Sequence, residues 1–310
     1  MFDIYRYTPE KQAEWDAFIA QSKNGTFLMF RGYMDYHSDR FTDCSLMFYL
    51  KGKLYAVLPA NIRENTLFSH QGLTYGGLVM DEKCTAANVL QLFEEMNVWL
   101  KGVGVQKVVY KPVPHIYSSM PAEEDLYALF RCGASIVARG VSTTIDLPAH
   151  RKWRQNRRTA LNKSVEDGII VSVSDDLESF WNILDANLMQ THGLHPVHTL
   201  DEMRRLKAAF PDNIVLWVAK DAKGDIVAGI LMYLTPHVIH SQYISATPEG
   251  KTSGAIDAIM YEILKSDSLY FDFGISTEQG GHYLNEKLIF QKEGFGGRAI
   301  CYDTYEYTLS

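Results

Sequence analysis

The sequence predicts an α+β chain of two tandem domains, each a mixed, mainly antiparallel sheet flanked by helices. Three observations carry this. Residues 213–307 read as strand, turn, strand, strand, loop, helix, strand, helix, strand. The same order occurs earlier in the chain, offset by roughly 160–170 residues, which is too long for a solenoid repeat and right for a duplicated domain. The chain's 310 residues, 46% of them hydrophobic, are enough for two domains of ordinary size. The expected division is 1–148 and 149–310.

Taken in order, residues 10–22 form an amphipathic helix with Trp15, Phe18 and Ile19 on one face, turned by Asn24-Gly25-Thr26. Residues 45–49 and 54–62 flank Lys51-Gly52-Lys53 as a hairpin, and short strands follow at 67–70 and 73–80. Residues 85–100 set Val89, Leu90, Phe93, Met96 and Leu100 along one helical stripe that stops at Gly102. A strand at 107–111, a short helix at 125–130 ended by Gly133, and a long alternating strand at 135–147 complete the first half.

Between the halves, residues 148–167 read as one helix with Pro148 in its first turn and Gly168 past its end. It carries Arg151, Lys152, Arg154, Arg157, Arg158 and Lys163 with no acid before Glu166. Helical spacing puts Arg151, Arg154 and Arg158 on one face, able to grip a phosphate-bearing partner. A strand at 169–173 and helices at 177–191 and 199–209 follow, the second opened by Thr199 with Glu202 at the capping-box position. In the closing stretch, 214–220 and 226–234 flank the turn Asp221-Ala222-Lys223-Gly224, and 237–245 alternates as a third strand. Gly250-Lys251-Thr252-Ser253-Gly254 opens a helix with an apolar stripe from Ala255 to Leu264, 269–273 is a short buried strand, and 283–292 a helix stopped at Gly294.

Composition narrows the function. A formal charge of −7 argues against general nucleic-acid affinity. The first residues lack a secretory layout, and no apolar run approaches the roughly 20 residues that span a bilayer. Cys44, Cys84, Cys132 and Cys301 are widely spaced, as expected of reduced thiols in a cytoplasmic protein. His192, His195 and His198 are interrupted by Gly193 and Pro196 and have no nearby acid or cysteine, so they read as loop histidines and no metal is expected. Asp272-Phe273-Gly274 lacks the other kinase motifs.

The order of elements in 213–307 resembles the catalytic half of the GNAT superfamily of N-acyltransferases. Gln291-Lys292-Glu293-Gly294-Phe295-Gly296 is similar to the F-K-x-G-F-G signature of Fem-type aminoacyltransferases and related acetyltransferases, with Gln291 where the pattern has Phe. The resemblance implies two tandem GNAT-like (acyl-CoA N-acyltransferase) domains, with the donor in the second. It places acyl-CoA on Gly250, Lys251, Thr252, Ser253, Gly254 and Ala255, since helix N-termini hold diphosphates. The superfamily's second glycine, two residues past Gly254, is absent. Lys292 takes the place of the motif lysine that offsets negative charge.

The residues themselves add candidates. An acid in the apolar run Leu269–Phe273, Asp272 is costly to bury unless paired or functional. Asp272 or Glu278 is the expected general base, and Tyr283 the proton donor, with His282 beside them. Gln242 and Tyr243 are candidate acyl or sugar contacts, the pleat deciding which points inward. Lys111, His115 and Tyr117, at the equivalent place in the first domain, are expected in the acceptor site, and Arg154 and Arg158 are expected to bind a phosphate-bearing substrate. The resemblance implies acyl transfer from acetyl-CoA or a similar thioester to an amine, without metal, and an acceptor that is an amino sugar or peptide of a cell-wall or surface-polysaccharide precursor. An aminoacyl-tRNA donor, or a non-catalytic binding protein with a degenerate fold, are the alternatives.

Overall fold

A computed structural model describes residues 1–149 and 152–309, the side chains of His37 and His192 aside. Arg151, one of the expected phosphate-gripping cations, lies outside the described residues. The chain divides into two compact units: unit 1 is Met1–Val141, Thr277–Tyr283 and Cys301–Ser310, and unit 2 is Ser142–Ser276 and Leu284–Ile300. The division therefore differs from 148/149: the chain changes unit inside a strand, and unit 1 reclaims two C-terminal stretches. The reason is pairing, because the last strand ladders onto a strand of the first half.

Unit 1 begins with β1 (Phe2–Arg6), α1 (Gln12–Gln21), α2 (Arg31–Met34), β2 (Thr42–Asp43), β3 (Leu46–Leu50), β4 (Lys53–Leu58), β5 (Asn61–Arg63), β6 (Thr66–Phe68) and β7 (Val79–Met80). It continues through α3 (Ala86–Gly102), β8 (Lys107–Tyr110), α4 (Glu124–Arg131) and the first part of β9 (Ser135–Asp146). β1, β3, β4 and β7 form one antiparallel sheet. β8 pairs with β6 on one side and, on the other, with the C-terminal strand, Tyr305 opposite Tyr110. Phe48, Leu67, Phe93, Met96 and Tyr110 fill the core.

Unit 2 takes the end of β9, then α5 (Gln155–Glu166), β10 (Ile170–Ser174), α6 (Leu177–His192), α7 (Leu200–Ala209), β11 (Ile214–Lys220), β12 (Ile226–Leu234) and β13 (Val238–Ala246). After them come α8 (Pro248–Thr252), α9 (Ala255–Ile263) and β14 (Tyr270–Ile275). The remaining elements of the chain are the short pair β15 (Thr277–Glu278) and β16 (Tyr283–Leu284), α10 (Glu286–Glu293) and β17 (Arg298–Thr308), of which α10 lies in unit 2 while β15 and most of β17 lie in unit 1. Its sheet runs β10-β11-β12-β13-β14-β9, antiparallel except where α8 and α9 carry the chain from β13 to β14, making that pair parallel. Ile230, Ile239, Ile259, Phe271 and Phe295 belong to the core under α9. α6 covers the other face, with the Trp181 ring 5.4 Å from that of Tyr243. The Thr199–Glu202 capping box opens α7.

Three helix starts differ from the sequence reading. α5 begins at Gln155 rather than at Pro148. Arg154 is extended before it, its N–H donating to the Gly294 carbonyl at 2.8 Å, so the approach docks on the end of α10. Gly250–Ala255 spans the end of one helix and the start of another. Thr247 caps α8 with Pro248 in its first turn, and Gly254 turns left-handed at φ 71° before α9. α10 begins at Glu286, capped by Asn285, because 277–284 is used by the small β15–β16 ladder. Among the described residues no helix is long and apolar enough to cross a membrane.

Candidate active site

Strands β13 and β14 pair over only three residues, Val238 to His240 against Tyr270 to Asp272, and then separate. Beyond that point β13 continues for six residues with its β14-facing edge unpaired by strand. Gln242 is the extra residue of a bulge against β12, with Leu231 opposite Tyr243 and Met232 opposite Ser241. A cavity of about 1070 Å³ occupies this region, lined by β13 (Ser241, Gln242, Ile244), α8 (Gly250, Lys251), Gly254 before α9, α9's first turn (Ile256, Asp257), and Phe273, Lys292 and Phe295. All of it belongs to unit 2.

Asp272 is fully enclosed. Its carboxylate accepts from the Ser142 hydroxyl, from Thr144 Oγ1 at 2.9 Å and from His240 Nδ1 at 2.8 Å. Lys292 is also buried, and its Nζ donates to the carbonyls of Gly274 (2.9 Å) and Ile275 (3.0 Å), pinning the end of β14 after the strands part. Burial pulls the ammonium down to about 8, with the negative charge of Asp272 acting against that. Arg157, from α5, sits over Phe295 with its guanidinium 4.4 Å from the ring centroid. Its Nη1 stands 3.4 Å from both carboxylate oxygens of Asp257, and Nη2 donates to the Gln291 carbonyl. Burial pushes Asp257 up to about 6, Arg157 pulling the other way.

In the expected donor run, Gly250 and Gly254 are there for space. A Cβ at Gly250 would lie 2.2 Å from the Val227 carbonyl oxygen, and one at Gly254 would lie 2.1 Å from that of Ala160. Lys251 is exposed, its Nζ donating to Asn187 Oδ1 at 2.9 Å. Thr252 and Ser253 turn their hydroxyls back to the Pro248 and Gly250 carbonyls, so neither caps α9, and Ala255 is buried in the core. The pleat answers the question left by Gln242 and Tyr243. Gln242 lines the cavity, while Tyr243 packs under α6 with its hydroxyl 2.7 Å from His198 Nδ1.

Other expected site residues are not part of this cavity's lining. Glu278, His282 and Tyr283 are exposed and group with unit 1. Arg154 is committed to the end of α10, through Phe290 O at 3.0 Å and Glu293 at 3.2 Å. Because it precedes the helix, it does not form the expected face with Arg158, whose Nη2 donates to Gln155. In unit 1, Lys111 donates its Nζ to the Leu73 carbonyl, and burial lowers its ammonium to about 8. Tyr117 is buried, 4.4 Å ring to ring from Tyr75 and hydrogen-bonded to Tyr302, whereas His115 is exposed. His195 pairs with Asp185 at 2.6 Å, and the described residues contain no cluster of three His, Cys, Asp or Glu suited to a metal.

Sequence reasoning missed His240, Asp257 and the two hydroxyls on Asp272. Their partners are fixed by strand register and helix packing, and no local spacing announces them. Arg157 was visible only as one charge of a basic run.

A GNAT acetyltransferase domain model matches residues 151–282. No curated protein matches the chain. Among solved structures, FemX is 11% identical, with 99% of this chain and 97% of that one covered at a TM-score of 0.69. L-PGS from Bacillus licheniformis is 15% identical, covering 97% and 92% at 0.62. A tandem GNAT protein from the clavulanic acid biosynthesis pathway, without AcCoA, is 11% identical, covering 100% and 99% at 0.53. These likenesses speak to fold, and the domain match speaks to family. Residues 151–282 are thus similar to a GNAT acetyltransferase domain, and the chain as a whole has the fold of FemX and of a tandem GNAT protein.

Proposed function

We propose that the protein transfers an acyl group from a thioester donor, held in the unit 2 cavity, to an amine. The carrying observation is the parting of β13 and β14 beside the first turn of α9, around a cavity of about 1070 Å³. Ligand cavities run to roughly 1,000 Å³, so this one suits a long donor such as acetyl-coenzyme A. An unpaired strand edge offers backbone groups to an extended acyl arm, and unpaired N–H groups of a helix start favour a diphosphate. Arg157, Lys251, Lys287 and Lys292 add positive charge to the lining. Lys292 would also offset the oxyanion that forms when the amine attacks the thioester carbon.

The acceptor in this reading is an amino sugar or peptide amine of a cell-envelope precursor, and the reaction is cytoplasmic, where the four free thiols stay reduced. Asp272 cannot meet an acceptor directly because it is enclosed, so a proton reaches it only through a hydrogen-bonded neighbour. A second reading, an aminoacyl-tRNA donor, is favoured by one feature. Asp257 puts a buried carboxylate in the first turn of α9, where a diphosphate would sit.

Calorimetric titration separates the two. Micromolar binding of acetyl-coenzyme A and coenzyme A, weakened about tenfold by Lys251→Glu, is the expected result. Absence of binding, with an aminoacyl-tRNA retained, would overturn the thioester donor in favour of the second reading.

A further inference from the structure

His240 and Asp272 are the last paired residues before β13 and β14 separate. They share a sheet face. Their neighbours Ile239, Phe271 and Phe273 point the other way, into the core under α9. The imidazole thus stands at the head of the split, on the face opposite the helix that lines the donor cavity. The next residues of β13, Ser241 and Gln242, line that cavity. On β14 the chain turns left-handed at Gly274, φ 73°, where a Cβ would come within 3.4 Å of His240 Cε1, so glycine keeps the space beside the ring open.

The hydrogen bond to Asp272 orients the ring. An ionised carboxylate only accepts, so the bond at 2.8 Å requires the Nδ1 hydrogen to point at Asp272 Oδ2. In the neutral ring the lone pair is then on Nε2. The Ser142 and Thr144 hydroxyls, from β9, hold Asp272 Oδ1 and stop the carboxylate from turning. The Lys292 ammonium, from α10, is a positive charge that interacts with Asp272. The His240 side chain retains 11% exposure while that of Asp272 has none. A base that is oriented from behind and reachable in front has this arrangement.

We propose that His240 is the general base of the transfer and that Asp272 is the residue that positions it. This rests on the acyl-transfer reading above. The donor's acyl carbon reaches the split from the α9 side, and the acceptor nitrogen approaches from the His240 face. As the C–N bond forms, the nitrogen's proton passes to His240 Nε2. The tetrahedral intermediate collapses by breaking the bond from carbon to the leaving sulfur, or to the ester oxygen if the donor is an aminoacyl ester. The proton on His240 then passes to that leaving group. The balance is donor plus amine giving amide plus thiol or alcohol, with no further reactant.

The test measures donor turnover with acetyl-coenzyme A, and in parallel with alanyl-tRNA, using glycinamide and glucosamine as amine probes. His240→Asn retains an amide N–H for Asp272 where Nδ1 was. It is expected to lower kcat by about 10²-fold or more, with donor KM within about twofold, and to erase the acid limb of the kcat/KM profile. Asp272→Asn is expected to lower kcat and displace that limb without erasing it, which loss of a purely structural bond would not do. A His240→Asn enzyme within about threefold of wild type, with its acid limb intact, would overturn the assignment while leaving the transfer reading standing. Failure of the folded wild type to turn over either donor would overturn the transfer reading, and this assignment with it. If His240→Asn does not fold, the Asp272→Asn limb decides: displaced supports the positioning role, unmoved overturns it.

Discussion

Lys292 shows how one buried charge ties stability to the geometry of the site. Its ammonium holds two carbonyls at the end of β14, and burial lowers it to about 8. In the unfolded chain a lysine titrates near 10.4. Between those two values the unfolded chain binds the extra proton, so stability rises with pH through that window and is flat below it. The penalty at neutral pH is on the order of 3 kcal/mol. Urea unfolding of wild type and Lys292→Met at pH 7.5, 9 and 10.5 should show the difference between them moving in favour of wild type as pH rises. Lys111 has the same direction of shift but is present in both proteins and cancels. A pH-independent difference would contradict the buried ammonium. Lys292 was legible in the sequence because it sits inside a motif. His240 was not, since it meets Asp272 only through the parallel register of two strands joined by α8 and α9.

At the scale of elements, most strands and helices follow from local chemistry. Turn residues at Lys51-Gly52 and Lys223-Gly224 set the hairpins, and apolar stripes set α3 and α9. The errors fall where tertiary contacts choose the helix start. Nothing in the sequence near Arg154 says that its N–H will be spent on Gly294, and Gly254 reads as a glycine of the expected donor run rather than as a packing contact. In the structure it combines a left-handed backbone with close approach of α5. Gly254→Ala should therefore cost about 2–4 kcal/mol, from backbone strain and from displacing the Ala160 carbonyl. Thermal unfolding would show it, and an unchanged midpoint would contradict the α5–α9 packing. For the same reason Gly254 is a poor position for probing the donor; exposed Lys251 is a better one.

For the molecule as a whole, the duplication was legible because the order of elements repeats. The exact limits of the units were not, because strand pairing between distant segments leaves no mark in composition. β8 needs the C-terminal strand, with Tyr305 to Thr308 paired against Lys107 to Tyr110. Residues 1–148 expressed alone should consequently lack cooperative thermal unfolding by circular dichroism, since that ladder and the Tyr307 core contact are lost. A sharp, reversible transition in that fragment would contradict the unit limits. Where the donor sits is tested most directly by hydrogen–deuterium exchange with and without saturating coenzyme A. The expected result is slowed exchange at residues 241–246, along the unpaired edge of β13, and at 254–258, the start of α9. Protection confined to other segments, or no change on addition of the ligand, would contradict a thioester donor in the unit 2 cavity.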